Sequence, residues 1–253
     1  MFFRSSLLPS AGFLALASIA SAGPNADGVI LLHTEPDVSF TDGGTYCELA
    51  DVVPLTICFE ANARTDETEP ILFWVFAAFP VESNPRLSGV TLGIEYPAEV
   101  TIIDDEACGD FVLSDNEWPA SGHGTAVTWN EAQTTHVTVI YGFVGYGASG
   151  GHFELTPNPN GGGVFADDSI PSLVDPIADY GVLGFGTEGY VPCSDDMVRA
   201  CCFDDRTCEL LGENDCSNAG GSFLPDEFAC DPNPCEPVPV VGTSWGRMKS
   251  QYR

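Results

Sequence analysis

The chain has 253 residues, with 37 acids against 8 lysines and arginines and a formal net charge of -29. Phosphate binding needs clustered cations, so this balance excludes nucleic acid as a partner class. Hydrophobic residues make up 44% of the chain and aromatics 11%, enough for a packed core rather than a disordered acidic coil.

Residues 1–22 have the form of a secretory leader. Arg4 supplies the positive start, Leu7 to Ala20 a short apolar run, and Ala20-Ser21-Ala22 a small-residue cleavage signature before Gly23. The run is too short for a membrane anchor and is interrupted by Pro9 and Gly12. No later run reaches the ~18 apolar residues of a spanning helix. The mature chain therefore has no transmembrane segment and is expected outside the cytoplasm: secreted or on the cell surface, extracellular or periplasmic. Ten cysteines, an even number, agree with an oxidising compartment.

Val29 to His33 is the first strand. Glu35 to Tyr46 is polar and turn-rich around Asp42-Gly43-Gly44. Leu55 to Phe59 reads as a strand and Arg64 to Pro70 as an acidic loop. Ile71 to Phe79 is an unbroken apolar run, the mark of a strand buried on both faces. In Arg86 to Tyr96 the residues Val90, Leu92, Ile94 and Tyr96 alternate with Thr91, Gly93 and Glu95, a period of two with one face inward. Val100 to Ile103 continues the strand pattern, and Asp104-Asp105-Glu106 with Asp110 forms an acidic loop around Cys108. Phe111 to Leu113 and Ala126 to Trp129 are short strands on either side of the Trp118-Pro119 loop. His136 to Phe143 alternates again, with Val137, Val139, Tyr141 and Phe143 on one face. A glycine-rich loop, the short Phe153–Leu155 strand, an emphatic turn at Pro157 to Gly163 and a last strand from Tyr180 to Phe185 follow.

Many short strands with turns every 8–15 residues, and almost no helical period, predict an all-β fold. The expected architecture is an antiparallel β-sandwich or jelly roll over residues 23–193, followed by a small disulfide-rich module over 194–236. A linker and basic tail occupy 237–253. The module holds Cys201, Cys202, Cys208, Cys216, Cys230 and Cys235 in too few residues to bury a core of its own, so disulfides must hold it. Its one helical signal is Glu213 to Ala219, closed by Gly220-Gly221. Vicinal Cys201 and Cys202 are expected to bond to different partners; the remaining pairings stay open among 15. Zinc would need C-x2-C pairs or added histidines, which the module lacks. The other four cysteines are read as Cys47–Cys58 and Cys108–Cys193.

No catalytic constellation emerges. Gly147-Ala-Ser-Gly-Gly151 matches G-x-S-x-G in form, but an alternating strand rather than a helix follows it, so it reads as a hairpin loop. His33, His123, His136 and His152 lie in no ligand or acid–base motif, and His33 and His136 read as strand-edge or outward positions. No cofactor is implied. Calcium is the one ion that Asp104-Asp105-Glu106, Asp167-Asp168 and Asp204-Asp205 could take from loops, without any EF-hand spacing. Trp74 reads as core, whereas Trp118 is the aromatic placed for exposure and ligand contact. In the tail, Trp245, Met248 and Tyr252 share one helical side, and Arg247, Lys249 and Arg253 are three of the eight cations. The tail is a candidate docking or sorting element.

The run Leu87-Ser-Gly-Val-Thr-Leu-Gly-Ile-Glu-Tyr96 followed by Val100-Thr-Ile-Ile103 resembles the strands of cohesin-like sandwiches in secreted bacterial proteins. Ala200-Cys-Cys-Phe203, Cys208, Asp215-Cys216, Ala219-Gly-Gly221 and Cys230-Asp-Pro-Asn-Pro-Cys235 resemble a small cysteine-rich module of exported proteins from uncultured bacteria. Thr243-Ser-Trp-Gly-Arg-Met-Lys-Ser-Gln-Tyr-Arg253 is similar to a terminal tag of such proteins. The resemblance implies protein–protein attachment and brings no catalytic residue. The expected function is a non-enzymatic, exported adhesion, assembly or cell-surface structural protein with a protein or glycan partner. A carbohydrate-binding module centred on Trp118, and a secreted hydrolase using unmarked carboxylates, are the alternatives.

Overall fold

The structure is a computed structural model. The structure describes residues 23–36, 38, 40, 41, 43–52, 55–193, 198–224, 227, 230, 231 and 233–235. Residues 1–22, read above as a leader, and the basic tail, with Trp245, Arg247, Met248, Lys249, Tyr252 and Arg253, lie outside the described residues. In chain order the elements are β1 (Val29–Thr34), α1 (Tyr46–Val52), β2 (Arg64–Thr65), β3 (Ile71–Ala78), β4 (Leu87–Glu95), β5 (Val100–Ala107), β6 (Phe111–Ser114), β7 (Gly124–Gln133) and β8 (Val137–Gly147). There follow β9 (Gly151–Thr156), β10 (Val164–Ala166), β11 (Val174–Pro176), β12 (Val182–Phe185), β13 (Arg199–Cys202), β14 (Cys208–Leu211), α2 (Glu213–Asn218) and β15 (Ser222–Leu224).

The fold is all-β. One sheet runs β1-β3-β8-β5; the other is built on β4, which pairs with β7 along one edge and with β9 and β10 along the other. β6 extends β7, β11 extends β10, and β12 joins β9 to β2 in a short parallel pairing. Period-two alternation places Phe73, Val75, Val90, Leu92, Ile94, Phe143, Phe153 and Phe185 between the two sheets, where they form the main core. β3 is buried along its whole length because its second face is also covered. Leu72, Trp74 and Phe76 pack there against Tyr46 and Ala50 of α1 and against Leu55 and Cys58. Trp74 is fully enclosed and donates its indole N–H to the Tyr46 carbonyl at 2.8 Å.

α1 is a departure from the all-strand reading, and Cys58–Glu60 is a 3-10 turn rather than a strand. Both cover the apolar back of β3, so tertiary burial overrides the local β-propensity of Leu55 to Phe59. The same helix decides the disulfides. α1 packs on β5 and β8, and the Cys47 N–H donates to Glu106 two residues before Cys108. The expected Cys47–Cys58 and Cys108–Cys193 bridges are therefore incorrect: the pairs are Cys47–Cys108 and Cys58–Cys193. In the cysteine-rich part the bridges are Cys201–Cys216, Cys202–Cys235 and Cys208–Cys230, with the vicinal cysteines bonded to different partners as expected. Among the described residues these five bridges take up every cysteine.

β14-β13-β15 form a third small sheet. It does not stand alone. Val198, Cys201, Leu211 and Cys216 share a buried cluster with Ile57 and Val81 of the sandwich. Gly212 lies so close to the His136 ring that a side chain at 212 would collide with it.

Candidate functional site

Most of the carboxylates singled out for calcium have structural partners. Asp104, Asp105 and Glu106 sit on β5 rather than in a loop, so they alternate in direction. Asp104 accepts from the Tyr46 hydroxyl at 2.5 Å and from the Gly43 N–H at 3.0 Å, and these bonds hold its carboxyl below the ordinary range. Glu106 accepts from the Cys47 N–H. Together the two anchor the start of α1. Asp105 turns the other way; burial raises its carboxyl pKa, only partly offset by the Tyr141 hydroxyl that donates to it. Asp167 is buried and accepts from the backbone N–H groups of Ser169 and Leu173 and from the Ser169 hydroxyl, bonds that outweigh burial and lower its pKa. Asp205 accepts from Thr207. Among the described residues no set of three His, Cys, Asp or Glu is arranged to hold a metal.

Trp118 is half-buried rather than exposed. Its indole N–H donates to the Tyr141 hydroxyl at 2.8 Å, and its ring packs edge-on to Tyr141 and tilted to Phe143. The ring closes the end of the core, which removes the reason for reading it as a stacking platform. His123 lies between Asp115, 2.9 Å from Nδ1, and Glu117, 3.1 Å from Nε2. The two carboxylates lie on opposite sides of the ring, so the three groups do not converge on one point. Ser149 lies in the exposed β8–β9 loop, but the expected hairpin does not form: β8 pairs with β3 and β5 and β9 with β4 and β12, so the loop passes from one sheet to the other.

His33 and His136 are buried, at 6% and 1% exposure, so of the strand-edge or outward positions expected of them the outward one fails; His33 lies in the edge strand β1 and His136 directly precedes β8. β1 has apolar cover on both faces, so position within the strand does not expose His33. Its Nδ1 accepts from the Asn62 N–H at 2.9 Å, which requires that nitrogen to be unprotonated. Burial lowers its pKa from 6.5 to about 4. The unfolded chain therefore binds the extra proton first as pH falls, and stability is lost from pH 6.5 down to about 4. The expected loss at this residue is about 3 kcal/mol across that window. Urea unfolding of wild type and His33→Gln at several pH values checks it: the variant should lack this part of the acid loss.

What the strands build together is a face without charge. The register aligns Phe111 with Thr128, Gly89, Ala166 and Val174 across β6, β7, β4, β10 and β11. Two residues along, it aligns Leu113 with Ala126, Thr91, Val164 and Pro176. Directly opposed residues point to the same side of a sheet. The row between them, Val112, Val127, Val90, Phe165 and Asp175, points inward, and its members on the inner strands are fully buried. Ten outward residues thus form two parallel rows with no ionisable group, in a chain with 37 acids. Five strands at the usual spacing make these rows about 19 Å wide. Phe111 is 62% exposed, Leu113 67% and Val174 57%; small residues lie between them. Asp110, Asp115 and the Arg86–Asp168 ion pair stand around the rim. An apolar face with a polar rim on an otherwise acidic surface is the chemistry of a protein-docking patch. No single strand announces it, since each contributes only two outward residues.

No family model and no curated protein matches the chain. Among solved structures, similarity is found to a cohesin module of a family 33 glycoside hydrolase from Clostridium perfringens, at 6% identity and a TM-score of 0.41, covering 64% of this chain and 99% of that one. A type I cohesin in the Coh-OlpA–Doc918 complex of Clostridium thermocellum is similar at 12% identity and a TM-score of 0.36, over 62% and 99% of the two chains. A non-cellulosomal cohesin from the archaeon Archaeoglobus fulgidus is similar at 8% identity and a TM-score of 0.35, over 64% and 93%. Overlaps of this size carry no argument about what the chain does.

Proposed function

We propose that this is an exported, non-enzymatic adhesion or assembly protein that holds a protein partner on the outer face of β6, β7, β4, β10 and β11. The observation that supports this reading is the uncharged pair of rows ending in exposed Phe111 and Leu113. Large apolar side chains cost solubility when exposed, and an acidic chain has charge available to replace them; their grouping on one face fits a partner that covers them. Five disulfides fit an oxidising destination outside the cytoplasm. In this reading residues 23–193 are the binding sandwich, 194–236 a disulfide-held module packed against it, and 243–253 the element read by export or attachment machinery.

The test is capture of binding proteins by wild type and by Phe111→Asp/Leu113→Asp. Both positions are exposed, so folding should change by only about 1 kcal/mol. A charge placed in an apolar docking face should weaken the partner by about 100-fold. Equal capture by the two proteins would remove this face from the reading.

A further inference from the structure

We infer that removal of residues 1–22 creates a part-buried ion pair: the α-ammonium released at Gly23 binds the carboxylate of Asp175 and latches the amino terminus across the β10–β11 end of the sandwich. The inference rests on the export reading above and names a processing-dependent site within it.

Asp175 belongs to the inward row of β11, next to fully buried Phe165, and is itself 4% exposed. A carboxylate in such a row is costly unless it is partnered. Its partners are two backbone nitrogens of the amino-terminal turn: Gly23 N at 2.8 Å from one oxygen and Asn25 N at 3.0 Å from the other. Among the described residues no cation pairs with it. Gly23 N is therefore placed where a positive charge would be worth most.

Gly23 also fits the site as no other residue would. A Cβ at this position would fall 2.3 to 2.9 Å from the Asp175 carboxylate atoms. The pocket takes a main-chain nitrogen on a bare Cα. Asn25 carries the connection onward. It is fully buried, its Oδ1 accepts from the Arg86 N–H at 2.9 Å, and its Nδ2 donates to the Arg86 carbonyl at 3.3 Å. One short turn thus ties the β10–β11 hairpin, through Asp175, to the residue that precedes β4.

Residue 23 is also the first after the Ala20-Ser21-Ala22 signature. A leader peptidase adds water across the Ala22–Gly23 bond. The C–N bond breaks, Ala22 leaves as a carboxylate, and Gly23 keeps an amine that is protonated at neutral pH. A neutral amide donor then becomes a charged one, and charge-assisted hydrogen bonds are about twice as strong as neutral ones. The unprocessed chain has the hydrogen bond; only the processed chain has the ion pair.

The experiment compares the oxidised chain 23–253, with a free amino group on Gly23, and the chain 21–253, which retains Ser21-Ala22. Each is made with Asp175 and with Asp175→Asn, and the unfolding equilibrium constant is read from denaturant titrations. The free Gly23 terminus should lower that constant about ten-fold relative to the extended chain, and Asp175→Asn should abolish the difference. Equal stability of the two wild-type chains, or a difference that survives Asp175→Asn, overturns the ion pair. Should Asp175→Asn not fold, acetylating the Gly23 amine of wild type replaces it. The acetylated chain should lose the same ten-fold, and no change on acetylation overturns the inference. Mass spectrometry of the exported protein separates the two layers. A terminus other than Gly23 overturns the processing step, whereas a Gly23 terminus without coupling to Asp175 overturns the ion pair alone.

Discussion

Replacing Cys58 and Cys193 together by alanine is expected to lower stability by about 4 to 5 kcal/mol. The bridge closes a loop with a sequence separation of 135, the longest in the molecule. In the chain-entropy model a loop of that size restricts the unfolded ensemble by about 5 kcal/mol, against about 3 for a separation like the 15 of Cys201–Cys216. Cys58 is fully buried against the back of β3, and Cys193 packs on the same cluster, so alanine adds no buried polar group there. Guanidinium unfolding of the oxidised proteins measures the change. Thiol titration reads the pairing in the same sample. With the bridges described here the double variant retains Cys47–Cys108 and has no free thiol. Two free thiols would instead restore the Cys47–Cys58 and Cys108–Cys193 arrangement.

Phe73→Ala should cost about 3 to 5 kcal/mol, the usual range for removing a buried aromatic ring. Phe73 is fully buried on β3, with ring centroids 5.6 Å from Phe143, 5.1 Å from Phe153 and 6.5 Å from Phe185. Those partners come from both sheets, so the cavity would open at their junction, where closely packed rings relax only in part. Phe111→Ala makes the same chemical deletion on the outer face and should cost only about 0.5 kcal/mol. Chemical denaturation of the two variants side by side checks both values. A large loss at Phe111 would mean that its ring supports the fold, and the docking face would lose one of the two large apolar residues at its β6 edge.

The strands were readable wherever burial repeats along a single segment. Val90, Leu92 and Ile94 alternate because one face of β4 meets the core, and Ile71 to Ala78 is continuous because β3 is covered twice. The glycine-rich β8–β9 loop and the turn after β9 were readable for the same local reason, since glycine permits backbone angles that other residues avoid, but that the loop crosses between sheets was not. The acids of β5 were misplaced into a loop because their partners, Tyr46, Cys47 and Tyr141, come from elsewhere in the chain. Without those partners Asp104-Asp105-Glu106 has the composition of a solvated turn. His33 failed similarly, since nothing in Val29 to Thr34 reports that loops close over the second face of β1.

The candidate site was the least legible part. Its two rows take residues from β4, β6, β7, β10 and β11, and a strand such as Phe111–Ser114 shows an apolar run without telling which side it faces. Asp175 and Gly23 are 152 residues apart, and neither stands out among 37 acids and 27 glycines. By itself the sequence determined the class of fold and the presence of a disulfide-held carboxy-terminal segment, because these follow from composition and from periods within one segment. Tertiary structure alone decided which cysteines meet, which carboxylates are buried, and that ten uncharged residues lie on one face. Those are properties of register between distant strands, where contact depends on how the sheets pack and not on spacing along the chain.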